Sequence, residues 1–118
     1  VKISLFLEAN RQLENRLKEL GTLVDAIEVH TGQYAMDFIQ GKNLESYRQS
    51  FSDFHRLCKH THLAVHAGHG ITQKSLGPLF KLGLFEEYNI GHWIICESVF
   101  SGLRNVVSEL KAQLTETT

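Results

Sequence analysis

A chain of 118 residues with 42% hydrophobic content holds material for one packed core, so a single domain over residues 1–118 is expected. Its 12 Lys and Arg balance 13 Asp and Glu, which excludes a strong basic field for nucleic acid or an anionic membrane; any anion must be held locally. Cys58 and Cys96 form no CxxC pair, which argues against a disulfide framework or a zinc knuckle and fits a reducing cytoplasm, and no apolar run reaches the roughly 20 residues of a membrane helix.

The chain opens at Val1 and enters the apolar stretch Ile3, Leu5, Phe6 and Leu7 at once, without a basic and apolar leader, as expected of a piece of something longer. Residues Lys2 to Leu7 are rich in β-formers and read as a buried strand, with Asn10 as the N-cap of a following helix. Leu13, Leu17 and Leu20 recur at helical spacing, and Gly21 stands where a helix C′ residue belongs.

A second strand is predicted over Ala26 to His30, from which Thr31-Gly32 turns into a polar connection containing Gln40-Gly41-Lys42-Asn43. A longer helix follows, with Leu44, Tyr47, Phe51, Phe54, Leu57 and Cys58 on one face and Glu45, Arg48, Gln49, Asp53 and Arg56 on the other. The third strand is Leu63 to Ala67, left through Gly68-His69-Gly70. A helix around Thr72 to Leu82 should break or restart at Gly77-Pro78. Tyr88 to Ile90 forms a fourth strand, followed by Gly91-His92, a short helix from Trp93 to Val99, and a last helix from Leu103 to Leu114 after Gly102. Residues Thr115 to Thr118 read as a frayed tail.

Four repeats of strand, loop and helix argue an α/β fold with a parallel sheet and helices packed outside it. Right-handed crossovers would curl four such units into half of a TIM (β/α)8 barrel, and two open sheet edges would be a poor stopping point. In such a fold the polar chemistry gathers at the C-terminal strand ends. Glu28 and His30 lie two apart on the second strand and should point the same way, and His66 and His69 flank the end of the third. The glycines of Gly68-His69-Gly70 and Gly91-His92 follow two successive strands, where backbone N–H groups and a short helix N-terminus suit a phosphate.

The strings Ser4-Leu5-Phe6-Leu7, Glu28-Val29-His30-Thr31-Gly32-Gln33-Tyr34-Ala35, Ala67-Gly68-His69-Gly70-Ile71-Thr72 and Asn89-Ile90-Gly91-His92 carry a family resemblance, continued by Val99-Phe100-Ser101-Gly102-Leu103. In order and spacing the chain resembles the C-terminal half of pyridoxine 5'-phosphate synthase of the deoxyxylulose-dependent vitamin B6 pathway. The resemblance implies the last four βα units of a barrel. It implies a transferase that condenses 1-deoxy-D-xylulose 5-phosphate with 3-amino-2-oxopropyl phosphate, closing a pyridine ring with loss of phosphate and water.

By the same resemblance, His69 corresponds to a proton donor and Glu28 to a catalytic carboxylate that stabilises intermediates. Gly70, Gly91 and His92 match positions that bind the amino-oxopropyl phosphate. An imidazole is chemically suited to protonate a leaving oxygen near neutral pH. No metal and no cofactor are expected; the partners implied are phosphorylated small molecules, the N-terminal half of the same barrel and further copies of the chain. The family's other catalytic histidine and glutamate belong to the preceding four units, so the chain alone is expected to be inactive. Two departures stand out: His66 where the family has Asn, and Cys96-Glu97 where it has Gly-Arg.

Other readings compete. His30 fits a hydrogen-bonded core histidine, and His30, His66, His69 and Glu28 together could surround zinc or iron in a metal-dependent hydrolase. A non-catalytic phosphate-binding half-barrel that pairs with a second copy is a further alternative. Tyr47, Phe51 and Phe54 read as helix-to-sheet packing, His55, His60 and His62 as solvated, and Cys58 and Cys96 as small buried hydrophobes.

Overall fold

Short segments rich in apolar residues become strands, and the 3.6-residue apolar periods between them become helices, in a computed structural model that describes residues 1–115. Strand β1 (Ser4–Leu7) leads through a single 3-10 turn at Arg11–Leu13 into α1 (Glu14–Leu20). Strand β2 (Ala26–His30) is followed by α2 (Gly32–Ile39) and α3 (Glu45–Cys58), and β3 (Ala64–Gly68) by α4 (Gln73–Phe80). Strand β4 (Glu87–Asn89) is followed by α5 (His92–Ser101) and α6 (Leu103–Thr115). The expected frayed tail lies, beyond Thr115, outside the described residues.

The four strands form one parallel sheet in the order β1-β2-β3-β4. This sequential order has no point at which the winding reverses. Ile27, Val29, Val65 and Ala67 point to one face, where they are buried against Leu17, Phe54, Leu76, Leu79, Val106 and Leu110 of the helices. Phe54 keeps only 1% of its surface exposed, and burial of a side chain that size stabilises by about 1.5–3 kcal/mol. Phe51 and Phe54 pack inward as the stripe on α3 predicts.

The opposite face is different in kind. One row of the register runs Phe6, Glu28, His66, Glu87, and the next runs His30, Gly68, Asn89. Parallel sheets are ordinarily covered on both faces by apolar layers. Here Phe6 is 53% exposed and the rest of the row is charged or titratable, so this face is built to meet something polar.

Three local expectations are corrected. The stretch after Thr31 is not an open connection, because α2 forms there with Tyr34 and Ala35 buried. Gln33, Asp37 and Gln40 make it look polar, but Tyr34, Ala35 and Phe38 share one face, and the Tyr34 hydroxyl donates to the Ser75 carbonyl at 2.7 Å. Helix α4 runs through Gly77-Pro78 without a break, with a Thr72–Ser75 capping box at its start. Pro78 cannot donate to the Lys74 carbonyl one turn earlier, but Lys74 is exposed, so water can reach that oxygen. Gly21 does close α1, but with a right-handed φ of −60°. Its missing side chain matters for space, since a Cβ there would lie 2.7 Å from the Thr61 carbonyl oxygen.

No helix among the described residues is long and apolar enough to cross a membrane.

Candidate active site

Strand alternation sends Glu28 and His30 to the same polar face, as the sequence requires. Glu28 leans across the sheet, where its Oε2 accepts a hydrogen bond from Asn89 Nδ2 at 2.9 Å. Its carboxylate lies over the backbone of Gly68 on the intervening strand: a Cβ on Gly68 would stand 1.9 Å from Glu28 Oε1. Gly68, read from sequence as room for an anion, makes room for this carboxylate.

His69 follows at the end of β3 with φ of +83°, in the left-handed region that side chains other than glycine rarely adopt. Three contacts hold it there. The Thr31 hydroxyl lies 2.8 Å from the carbonyl oxygens of both Gly68 and His69, and the Thr31 N–H donates to the Gly68 carbonyl at 2.8 Å. The His69 ring stacks on His30, centroids 4.6 Å apart and planes at 23°, with Phe6 edge-on to His30 at 5.0 Å. Gly32 lies against both rings, since a Cβ there would meet His30 Cε1 at 2.6 Å and His69 Cδ2 at 2.9 Å.

Beside this stack opens a cavity of about 850 Å³ at the C-terminal ends of β3 and β4, the end of the strands where (β/α) units carry their sites. Its wall includes His69, Gly70, Thr72, Gly91, His92 and Cys96. Gly70 has φ of +73°, so its backbone takes a turn closed to most residues. Gly91 is the N-cap of α5 with no side-chain cap, and His92 and Trp93 begin the helix. The first N–H groups of a helix lack intrahelical acceptors and form a partial positive charge suited to an anion.

The structure brings the five residues singled out from the sequence near one another without putting all of them in one recess. Four of them, His69, Gly70, Gly91 and His92, line one cavity; Glu28 stands beside it, tied through Asn89, which also lines that cavity. His66 does not join them. It faces Glu87, 3.9 Å from its carboxylate, and with Glu28 it lines a separate recess lower on the sheet. The four groups considered for zinc or iron do not converge, and among the described residues no three His, Cys, Asp or Glu side chains are arranged to hold a metal ion.

Cys96 is corrected from buried to exposed. It projects from the first turns of α5 into the cavity, with Sγ 3.5 Å from His92 Nε2. Cys58 is buried as expected, and burial pushes its thiol up to about 11. Asn89 and Trp93 also line the cavity and Thr31 bonds the turn beside it, and pattern reading singles out none of the three. Thr31 and Asn89 were visible only as members of longer strings, and their contacts span 37 and 61 residues of sequence.

The family model described as pyridoxal phosphate biosynthesis protein PdxJ matches residues 1–116. Among curated proteins, the chain is similar to a pyridoxine 5'-phosphate synthase of Sulfurihydrogenibium sp., 37% identical over 94% of this chain and 44% of the relative. It is 35% identical to one from Wolbachia sp. over 98% of this chain and 47% of the relative. A Chlorobium phaeobacteroides synthase is 34% identical over 93% and 45% respectively. The chain spans about half the length of the curated relatives it matches. With a family model matched over residues 1–116 and relatives 34–37% identical over nearly its whole length, this chain belongs to the PdxJ family of pyridoxal phosphate biosynthesis proteins.

Proposed function

We propose that the chain is the C-terminal half of a pyridoxine 5'-phosphate synthase barrel, supplying the phosphate-side wall and proton donor of the active site. The observation that carries this is the cavity at the ends of β3 and β4, where His69, Gly70, Gly91 and His92 meet. The sequential strand order, with helices on one face and titratable side chains on the other, supports four βα units of a (β/α)8 barrel whose lumen is the polar face.

In this reading the amino-oxopropyl phosphate binds with its phosphate against the Gly70 and Gly91 backbone, the α5 N-terminus and His92. His69 donates a proton to a leaving oxygen during condensation with 1-deoxy-D-xylulose 5-phosphate. Glu28, held by Asn89, stabilises the developing charge beside it. The partner is the four-unit N-terminal half, in assemblies of whole barrels and in a cytoplasmic setting.

The test is reconstitution. Joined to the N-terminal half of a PdxJ relative, the chain is expected to form pyridoxine 5'-phosphate, and His69→Asn to abolish that formation. The chain alone is expected to bind inorganic phosphate without turnover. A reconstituted barrel with full turnover after His69→Asn would remove the proton-donor role, and no phosphate binding by either form would remove the site. A size measurement separates this reading from a module that closes on a second copy of itself: the self-paired form would run as a dimer before any N-terminal half is added.

A further inference from the structure

His69 pays a conformational cost that glycine at the same place would not: its φ of +83° lies in the left-handed region. Such conformers persist only where the surroundings over-determine them, and they gather at functional sites. Thr31 supplies the determination. It is fully buried, at 0% exposure, on the neighbouring strand end. Its hydroxyl sits 2.8 Å from two successive carbonyl oxygens, those of Gly68 and His69, which bracket the strained residue. Its N–H holds the first of them a second time. Thr31 is also followed directly by Gly32, whose lack of a side chain admits the stacked His69 and His30 rings.

One residue pair therefore sets both the backbone turn and the ring plane of His69. The Thr31 side chain is absent from the cavity wall, while Gly70, the next residue of the same turn, lines it. Valine would fill the same volume but has no hydroxyl, so the two carbonyls would lose their shared donor inside the protein.

We propose that Thr31 is a positioning residue for His69 and the Gly70 backbone, acting through the turn rather than on substrate. This rests on the proposed role of the strand-end cavity, and it adds a residue to that site.

The 118-residue chain is labelled with ¹³C-histidine, and the His69 ring signals are assigned by their loss in His69→Asn. Ring signals without ligand, and affinity for inorganic phosphate, are then measured in Thr31→Val and Thr31→Ser. In Thr31→Val the His69 signals are expected to move toward those of an unstructured histidine as the stack on His30 is lost. Phosphate affinity should fall about tenfold, the effect of one buried hydrogen bond. Thr31→Ser, which keeps the hydroxyl, should restore both to within about twofold.

Unchanged ring signals in a folded Thr31→Val protein would overturn the proposal. Should that variant not fold, Thr31→Val/His69→Gly decides: glycine accepts the left-handed turn, so the double variant folds if Thr31 acts through His69. If it stays unfolded, the hydroxyl serves the core alone and the proposal fails. The ring signals are read without ligand, so absence of phosphate binding by the unsubstituted chain counts against the site and not against the positioning role.

Discussion

The carboxylate of Glu28 occupies the space where a side chain on Gly68 would be: Oε1 stands 1.9 Å from that residue's missing Cβ, while Oε2 accepts a hydrogen bond from Asn89. Glycine on β3 thus lets a residue of β2 reach across to β4. The polar face is tied together at the end of the sheet where the cavity opens.

Gly68→Ala should therefore damage the site more than the fold. The colliding atoms are the far end of a flexible side chain, so Glu28 can swing away, breaking its bond with Asn89, at a cost of about 1–2 kcal/mol. In the reconstituted barrel we expect turnover to drop at least tenfold with the melting temperature lowered only slightly. An unfolded protein, or full turnover, would contradict this.

The two cysteines should separate cleanly in reactivity. Cys96 is exposed in the cavity beside His92, whereas the Cys58 thiol is buried and pushed up to about 11. Mild alkylation followed by mass spectrometry should modify Cys96 and spare Cys58. Inorganic phosphate should slow that reaction, because the anion and the reagent share the cavity. Equal rates with and without phosphate would place the anion elsewhere.

An ion-paired knot lies away from the cavity. Asp37 of α2 accepts hydrogen bonds from Lys42 at 2.8 Å, from Gln33 at 3.0 Å and from the Tyr47 hydroxyl. Lys42 first and Tyr47 second hold its carboxyl at about 2, below the ordinary 3.8. A carboxylate held down in the folded state stabilises above its ordinary value and ceases to do so as pH falls through about 2. Thermal melts between those limits should lose stability with acid, and Asp37→Asn should flatten that limb. An unchanged acid limb in the variant would assign the loss to other carboxylates.

Tyr34 joins α2 to α4, and burial pushes its hydroxyl up to about 12. Tyr34→Phe removes the donor to the buried Ser75 carbonyl and should cost about 1–3 kcal/mol in urea unfolding. No change in the midpoint would mean that water replaces the hydroxyl there.

Much of this was legible in the residues because each βα unit is locally encoded. β2 was predicted with its observed bounds, Ala26 to His30, and Asn10 caps the first turn by accepting from the Gln12 N–H at 2.8 Å. His69, Gly70, Gly91 and His92 could be picked out because glycines beside a histidine at a strand end form a compact string. Helix α2 could not, since its apolar face is narrow and its stability comes from Tyr34 meeting α4, a contact across 41 residues. The exposure of Cys96 is hidden for a related reason: it depends on which way α5 faces, and a short apolar helix does not say.

Local residue patterns suffice for the order of strands and helices, the strings that carry the family resemblance, and the glycines at the strand ends, all set within a few residues by backbone propensity and side-chain period. The folded sheet adds three meetings: Glu28 lies over Gly68, the Thr31 hydroxyl reaches the carbonyls on either side of left-handed His69, and His66 turns to Glu87. Those outcomes depend on register between strands, where side chains 20 to 60 positions apart become neighbours through backbone pairing, and no local pattern of residues specifies that meeting.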